Sequence, residues 1–408
     1  MNTPHGGVAL AAFRLDDPEL VEAGDPGGML RQVASSAAQV RTAVRACAET
    51  DLRAIGPETR PRSIVVVGSG GAGGGAFAAD ALAGICGIGA PVQVTSVSGY
   101  QLPGWIGAAD LVIAVSRSGH TAEALALAGE AARRGCGLVG VGAPGTPLEE
   151  LVSRVRGTFI PVSTVGPARA MPWSLTVPLV VLAARLGVAR LDDDAYEAAA
   201  VAMEDVSHQC RPSSESFVNP AKSLALDLVG HLPVIWGGSP LAAVAARRFA
   251  SQLAANAKYP ALAGALPAAG HDQVAALDGP YVPAPEPAFP AAENFGDAEY
   301  GDFPDAGDAD LDLDGPGADE GSLRLILLAD PKGEHPAVER TRVAATSLAA
   351  ARGVDVSEIT MDGSDPLRKL ATTVHLLDYA SVYLGIASGI DPLAIAAIKD
   401  LRDLTGRE

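Results

Sequence analysis

The chain has 408 residues, of which 48% are hydrophobic, 19% are charged and only 4% are aromatic. This composition is typical of a soluble α/β protein that is long enough for two domains. The net charge is −18, and twelve acidic but no basic residues lie between 286 and 320. The rest of the chain is mildly acidic and has no basic stripe, which argues against a nucleic-acid partner.

The sequence also bears on membrane association and on the state of the cysteines. No apolar run reaches the length of a membrane span, and the N-terminus lacks the basic-then-apolar pattern of a secretory signal, so no membrane association is expected. The four cysteines, at positions 47, 86, 136 and 210, form no Cys-x-x-Cys pair. We therefore expect reduced, buried thiols in a cytoplasmic protein.

Apolar runs that end in glycine, serine or aspartate alternate with helix-prone segments along most of the chain. In the first half, strands are predicted near 64–67, 91–97, 111–115 and 138–141. The pattern recurs in the second half near 233–236 and 325–330. Such alternation predicts an α/β fold with two similar domains, each a mostly parallel sheet flanked by helices.

The predicted domains are 30–204 and 220–408, joined by a linker at 205–219. Residues 1–29 are rich in Pro, Gly and Asp and are predicted to be a flexible N-terminus. The segment 283–321 carries little apolar side-chain area, so a disordered acidic insert is expected there. Within it, Asp310, Asp312 and Asp314 match the first half of a calcium loop, but the last ligand position falls on a glycine, so no metal site is expected.

A glycine-rich segment, Gly68–Gly75, follows the first predicted strand and precedes a helix. Its backbone N–H groups are placed to face an anion at the helix N-terminus. The spacing contains G-x-G-x-x-G, but no acidic residue ends the next strand, which disfavours a dinucleotide site. Close packing and a sugar-phosphate cradle remain as interpretations of these glycines.

A second loop carries hydroxyl groups at Ser116, Ser118 and Thr121, between an apolar strand and a helix. Hydroxyls and helix-terminal N–H groups together form a neutral nest for a phosphate dianion. A helix cap needs one hydroxyl, and this loop offers three, so phosphate binding is favoured over simple capping.

The stretch Ser116–Glu123 reads S-x-S-G-x-T-x-E and resembles the phosphate loop of sugar isomerase (SIS) domains. From about Leu30 to Leu404, outside the acidic insert, the chain resembles the dual-specificity phosphoglucose/phosphomannose isomerases of archaea and bacteria. The other matching pieces, in chain order, are Gly70-Gly71, Pro167–Arg169, Asn219–Lys222, Gln252–Lys258, Leu266–His271, Tyr383-Leu384 and Gly389–Pro392.

This resemblance implies two SIS domains in a cytoplasmic homodimer, with the site at the subunit interface and no cofactor. The implied ligand is glucose 6-phosphate, fructose 6-phosphate or mannose 6-phosphate. The implied route is aldose–ketose isomerisation through an enediol: a histidine opens the ring, a glutamate moves a proton between C2 and C1, and an arginine stabilises the developing charge.

The resemblance also implies roles for individual residues. The phosphate-binding positions are Gly70, Gly71, Ser116, Ser118 and Thr121, with Ala72 where the family has serine. Arg169 matches the charge-stabilising arginine and His271 the ring-opening histidine. Members of the family have a functional lysine near the C-terminus. Arg402 stands at that position in this chain, and Lys399 lies one helical turn earlier. Lys222 and Lys258 match the pattern either as site residues or as helix-face charges.

The carboxylates of the motif are missing. The family motif Asn-Glu-Asn-Ala-Lys corresponds to Ala254–Lys258 in this chain, so Ala255 stands where the family has the proton-moving glutamate. In the second motif, Pro-Glu-x-x-His, Ala268 stands in place of the glutamate. Asp272 and Glu123 are the nearest substitutes by motif. Two functions stay open: a hexose-phosphate isomerase that acts weakly or through another base, and a catalytically silent phosphosugar sensor or regulatory protein.

Overall fold

The computed structural model describes residues 4–68, 75–192, 194–282 and 322–405. Gly70, Gly71 and the whole acidic insert expected at 283–321 lie outside these ranges, and so does the partial calcium pattern.

The first half contains a sheet of five parallel strands in the order β2-β1-β3-β4-β5. The strands are β1 (Ser63–Val67), β2 (Gln93–Val97), β3 (Leu111–Ser116), β4 (Gly137–Gly142) and β5 (Thr158–Pro161). The helices that follow residue 28 are α3 (Met29–Ala34), α4 (Ser36–Glu49), α5 (Gly75–Cys86), α6 (Ala122–Arg133), α7 (Pro147–Arg154), α8 (Pro172–Arg185) and α9 (Ala195–Gln209). The interior strand β1 is buried along its whole length, as its apolar sequence predicts.

The second half repeats this topology with four parallel strands in the order β7-β6-β8-β9. They are β6 (His231–Gly237), β7 (Leu262–Ala265), β8 (Ser322–Ala329) and β9 (Val356–Thr360). The helices are α10 (Pro220–Leu228), α11 (Pro240–Gln252), α12 (Pro336–Ala350), α13 (Pro366–Ala387) and α14 (Ala396–Thr405). In both halves the first strand lies between the second and the third, which confirms the predicted α/β fold with two similar parallel sheets.

The two halves share one hydrophobic core, which includes residues of β1, α5, α8, α11 and α13. Gly84 of α5 lies so close to α11 that an added Cβ would stand 3.0 Å from Leu241 Cδ1. Helix α13 is long and apolar enough to cross a membrane, but 89% of its apolar window is buried inside the protein. It is therefore the central core helix of the fold.

The N-terminal segment differs from the flexible tail that the sequence predicts. It forms α1 (Pro4–Asp16) and α2 (Pro18–Gly24), and Leu15 and Val21 are almost completely buried. The Asp17 carboxylate caps α2 by accepting from the N–H groups of Glu19 and Leu20. The prediction was wrong because the Pro, Gly and Asp residues that suggested disorder are here the caps and breaks between short helices.

The predicted linker at 205–219 is also shorter than expected, since α9 continues to Gln209. The irregular remainder is held by Lys222, which is 1% exposed. Its ammonium group donates to the carbonyls of Leu15 (2.5 Å), Pro212 (2.7 Å) and Ser214 (2.7 Å). Lys222 is thus a buried link between α1, the linker and α10, and not an exposed helix-face charge.

Candidate functional site

The predicted phosphate loop lies at the carboxyl end of β3. Ser116 is 2% exposed, and its hydroxyl lies 2.9 Å from the hydroxyl of Thr121 and accepts from the Gly119 N–H at 3.1 Å. Ser118 is exposed, and its Oγ accepts from the His120 N–H at 3.3 Å. The three predicted hydroxyl residues are therefore brought into one short turn.

This turn leads directly into the N-terminus of α6. Thr121 occupies the N-cap position, but no side chain in the described part of the structure caps the first N–H groups of the helix. The Thr121 hydroxyl is instead engaged with Ser116. Free N–H groups at the positive end of a helix dipole, beside hydroxyl donors, form a site for a phosphate or carboxylate.

Gly119 makes this turn tight, and Gly68 brings the end of β1 against it. Gly119 has φ +70°, and a Cβ there would stand 2.1 Å from Thr146 Oγ1. Gly68, at the end of β1, has φ +130°, and a Cβ there would meet the Val115 carbonyl oxygen. The start of the predicted glycine loop thus lies directly against the end of β3. Since Gly70 and Gly71 are outside the described residues, their contact with a phosphate stays a prediction.

Arg117 connects the phosphate loop to the segment that carries Arg169. Its Nη1 donates to the carbonyls of Thr164 at 2.7 Å and Gly166 at 2.9 Å. Glu123, one of the substitute carboxylates suggested by the sequence, accepts from the Gly99 N–H at 2.7 Å. That bond ties α6 to the loop after β2, so Glu123 has a structural contact of its own.

Arg169 lies at the junction of the two halves and is only 9% exposed. Its Nε donates to Asn256 Oδ1 at 2.8 Å, and its Nη2 donates to the Pro392 carbonyl at 2.5 Å. Burial lowers the pKa of Arg169, and the nearby Asp391 carboxylate opposes that shift. Arg169 thus joins a loop of the first half to two segments of the second.

A buried ion pair supports Arg169 from behind. Arg248 pairs with Asp378 through two hydrogen bonds, Nε to Oδ1 at 3.0 Å and Nη2 to Oδ2 at 2.6 Å. The same Nη2 donates to the Arg169 carbonyl at 3.0 Å, and Gln252 Nε2 donates to it at 3.3 Å. Burial raises the pKa of Asp378, and Arg248 opposes that shift.

The segment that carries position 255 has an unusual backbone. Helix α11 ends at Gln252 and continues as a π-helical turn, Leu253–Ala257, which Lys258 closes at φ +61°. Such turns occur often at functional sites. Ala255 is half-buried, and its carbonyl accepts from Lys258 Nζ at 2.8 Å.

Lys258 lies between this turn and the segment after α13. Its ammonium group is 3.4 Å from the carbonyl oxygens of Asn256 and Asp391. Burial lowers the pKa of Lys258, Arg169 lowers it further, and Asp391 opposes both. Arg169, Lys258 and Asp391 therefore form one cluster around position 255. Sequence reasoning named Arg169 and Lys258 but missed Asp391 as a member, although it stands in the matched Gly-Ile-Asp-Pro segment.

His271 is not brought to this cluster within one chain. It is exposed and follows a short 3₁₀ turn, Ala268–Gly270, beyond β7. Among the residues that the structure describes, its side chain makes no hydrogen bond. Asp272, the other suggested carboxylate, accepts from the Gln273 N–H at 2.6 Å and caps the next turn.

Among the described residues, no hydrogen bond or ion pair links Lys399 or Arg402 to Arg169. Both are on α14, which has no buried residue. Within the described ranges neither side chain has a hydrogen bond or an ion pair. The structure therefore brings together Ser116, Ser118 and Thr121 at one place and Arg169 with Lys258 at another, and leaves His271, Lys399 and Arg402 on the surface.

The equivalent loop of the second half is built differently. After β8 comes Asp330, which accepts from Ser239 Oγ at 2.9 Å and from Lys369 Nζ at 2.6 Å. Glu334, further along the same loop, pairs with Arg342 at 3.2 Å. The carboxylates of this loop occupy the nearby cations Lys369 and Arg342 and leave no net positive charge for a phosphate, so the first half carries the candidate phosphate site. The described residues contain no group of three or more His, Cys, Asp and Glu side chains suited to a metal.

Comparison with known proteins gives the following similarities. Residues 217–404 match the family described as bacterial phospho-glucose isomerase C-terminal SIS domain. A bifunctional phosphoglucose/phosphomannose isomerase of Caldicellulosiruptor bescii is 30% identical over 182 residues, which are 44% of this chain and 53% of that protein. The protein with the same description in Aquifex aeolicus is 25% identical over 307 residues, 75% of this chain and 79% of that one.

The fold has solved counterparts. A glucose-6-phosphate isomerase like protein from Thermus thermophilus superposes with a TM-score of 0.55 at 19% identity, covering 96% of this chain and 99% of that chain. The match to the Caldicellulosiruptor bescii relative spans about half of that relative's length. The second half of this chain is therefore similar to the C-terminal SIS domain of bacterial phosphoglucose isomerases, and the chain as a whole has the same fold as the Thermus thermophilus protein.

Proposed function

We propose that the chain binds a hexose phosphate, with the phosphate on Ser116, Ser118, Thr121 and the N-terminus of α6. The observation that carries this proposal is the Ser116–Thr121 turn, whose hydroxyls converge on an uncapped helix N-terminus. The relatives named above are isomerases of glucose and mannose phosphates by their descriptions. Arg117 links the turn to the Arg169 segment, so the sugar is placed to extend toward the junction of the halves.

The active form in this proposal is a cytoplasmic homodimer whose site is completed by the second copy. His271, Lys399 and Arg402 are exposed in the single chain and are free to meet a partner's cleft. Helix α14 supports this view, since Ile398, Leu401 and Leu404 on it are 45%, 63% and 85% exposed. Exposed apolar residues on one amphipathic helix indicate a surface that is covered in an assembly.

Isomerase activity depends on a base near position 255, where the chain has no carboxylate. Positioned acid–base catalysis typically contributes about 10²–10⁴ in rate. Asp391 is the carboxylate whose charge acts on both Arg169 and Lys258, so we propose it as the base if turnover occurs. Without turnover, the protein is a phosphosugar sensor, which is the second candidate function and is favoured by Ala255 itself.

Two measurements on one preparation of the protein distinguish the isomerase from the sensor. Calorimetric titration with fructose 6-phosphate measures binding, and a coupled assay measures its conversion to glucose 6-phosphate. Ser118→Ala should weaken binding about tenfold, the cost of one charge-assisted hydrogen bond. Ser347→Ala, on the exposed face of α12, is the matched control and should bind like wild type.

The assay then decides between isomerase and sensor. Turnover that His271→Ala abolishes would establish the isomerase, whereas binding without turnover would establish the sensor. Ala255→Glu should raise turnover if the turn holds the position that the resemblance assigns to it. Failure of every hexose phosphate to bind would overturn both functions.

A further inference from the structure

A histidine stands inside the candidate phosphate loop. His120 lies between Gly119 and the N-cap residue Thr121, and its side chain is exposed. Its ring Nδ1 lies 2.7 Å from the carbonyl oxygen of Ser118. A carbonyl oxygen only accepts, so Nδ1 carries the hydrogen of that bond. The other ring nitrogen, Nε2, is therefore the one that gains or loses a proton.

The same contacts connect the imidazole to the proposed phosphate. Ser118 Oγ accepts from the His120 backbone N–H at 3.3 Å, and its own hydroxyl hydrogen has no acceptor among the described residues. Ser118 thus holds the ring with its carbonyl and keeps its hydroxyl available for a ligand oxygen. A ring fixed to Ser118 lies beside any anion that binds to this serine and to the start of α6.

The charges around the turn leave His120 without an ionic partner. The charged side chains on the turn, on the start of α6 and on the start of α7 are Arg117, Glu123, Glu149 and Glu150. Arg117 is held by two backbone carbonyls, Glu123 and Glu149 by one backbone N–H each, and Glu150 by an arginine of its own helix. The neighbouring segments 98–104 and 162–168 carry no charged residue. Nε2 has no hydrogen-bond partner within the described parts of the chain.

The charge of the imidazole should therefore respond to the ligand. The N-terminal end of a helix dipole disfavours a cation, so α6 alone favours the neutral ring. A phosphate dianion at the same place reverses the sign of the local field and favours the imidazolium. A protonated Nε2 is then a charge-assisted donor to a phosphate oxygen.

We infer that His120 links phosphosugar binding to proton uptake: Nε2 gains a proton from the solvent as the phosphate binds, and donates it as a hydrogen bond to a phosphate oxygen. The proton returns to the solvent when the ligand leaves. This inference rests on the proposed hexose-phosphate site and adds a regulation of it by pH. Since the imidazolium forms more readily at lower pH, affinity is greatest near neutral pH and falls as the pH rises.

Calorimetric titration with fructose 6-phosphate between pH 7 and pH 8.5 tests this linkage. The second proton of a phosphate monoester dissociates at about pH 6, so the ligand is almost entirely dianionic throughout this interval. Wild type should bind about threefold more tightly at pH 7 than at pH 8.5, the effect of one histidine that gains a proton in the complex. Titrations at pH 7.5 in two buffers of different ionisation enthalpy should show uptake of a fraction of a proton per ligand.

A matched pair of variants isolates the titrating nitrogen. In His120→Asn the side-chain amide can still donate to the Ser118 carbonyl, but no group there takes up a proton. This variant should bind with nearly the same affinity at both pH values and take up fewer protons than wild type. His231→Gln is the control, because the His231 ring makes the same kind of contact, 3.0 Å from Nδ1 to the Val229 carbonyl, on β6. It should behave like wild type.

Each outcome has a distinct meaning. If wild type and His120→Asn share the same pH dependence and the same proton uptake, the inference is wrong and the hexose-phosphate proposal stands. A loss of affinity in His120→Asn that is equal at pH 7 and pH 8.5 would also overturn it, since the ring would then only orient Ser118. If wild type does not bind fructose 6-phosphate at either pH, the inference and the proposed function fail together.

Discussion

Arg169 of the first half donates from Nε to the side-chain oxygen of Asn256 in the second half, at 2.8 Å. Asn256 is completely buried and in turn donates to Ser381 Oγ at 2.9 Å. This chain of bonds fixes the π-helical turn beside position 255 relative to the segment that leads from the phosphate loop. The geometry of the candidate site therefore depends on how the halves pack together.

Asn256→Ala tests this connection. It leaves the buried Nε of Arg169 without an acceptor, so the free energy of unfolding should fall by about 1–3 kcal/mol. Urea unfolding measures the loss, with exposed Ser347→Ala as the control. Affinity for fructose 6-phosphate should fall as well. A variant as stable as wild type would show that the bond contributes nothing to holding the two halves together.

Arg248→Met tests the pair behind Arg169. Removing one partner of a buried ion pair typically costs about 3–5 kcal/mol. Because burial raises the pKa of Asp378 in the folded state and the variant lacks the opposing Arg248, the stability difference between variant and wild type should shrink as the pH falls and this carboxyl group takes up a proton. Urea unfolding at pH 7 and pH 5 measures both effects. Adding Asp378→Leu should recover part of the loss and abolish the pH response.

Gly119→Ala and Gly145→Ala form a matched pair. Both glycines have a φ near +70°, but a Cβ at Gly119 would stand 2.1 Å from Thr146 Oγ1, whereas Gly145 has open space. Both variants should lose about 1–2 kcal/mol of stability from the left-handed backbone. Gly119→Ala should lose about 1–3 kcal/mol more through overpacking, and its affinity for fructose 6-phosphate should fall. Equal losses would contradict the close contact that shapes the phosphate loop.

The environment of His375 on α13 predicts that the folded protein loses stability in acid. It is completely buried, its Nε2 lies 2.7 Å from Ser207 Oγ, and burial lowers its pKa from 6.5 to about 3. The unfolded chain binds a proton at this histidine below about pH 6.5, and the folded chain does so only near pH 3. Stability therefore falls as the pH falls through that window.

The size of the effect follows from linkage. Between pH 7 and pH 5, His375 should remove about 2 kcal/mol of stability from wild type. His375→Gln should lose correspondingly less over the same interval, and His208→Gln, on the surface, should behave like wild type. Identical pH dependence in wild type and His375→Gln would mean that His375 is protonated in the folded protein.

Apart from the edge strand β2, the strands that the sequence predicted are those with continuous apolar runs. Each of the strands β5, β7 and β9, which it did not identify, forms an edge of its sheet. Edge strands are short and partly exposed, so their apolar pattern is weak. The N-terminal helices were missed because Asp17 and Asp25 were counted as signs of disorder. In the structure Asp25 accepts from the N–H groups of Met29 and Leu30 and begins α3.

The candidate site was predictable where it is local in sequence. Ser116, Ser118 and Thr121 fall within one turn, and their spacing alone indicated a phosphate loop. Arg169 was named from a motif, but its partners Asn256 and Pro392 are 87 and 223 residues further along the chain. No local pattern encodes such contacts, and for the same reason Asp391 was not recognised as part of the cluster.

A crystal structure of the chain with fructose 6-phosphate tests the central claim most directly. We predict the phosphate at the N-terminus of α6, with its oxygens about 2.7–3.1 Å from donors of the Ser116–Thr121 turn. The sugar should extend toward Arg169. A phosphate bound beside Asp330 in the second half, or anywhere else away from that turn, would contradict the account.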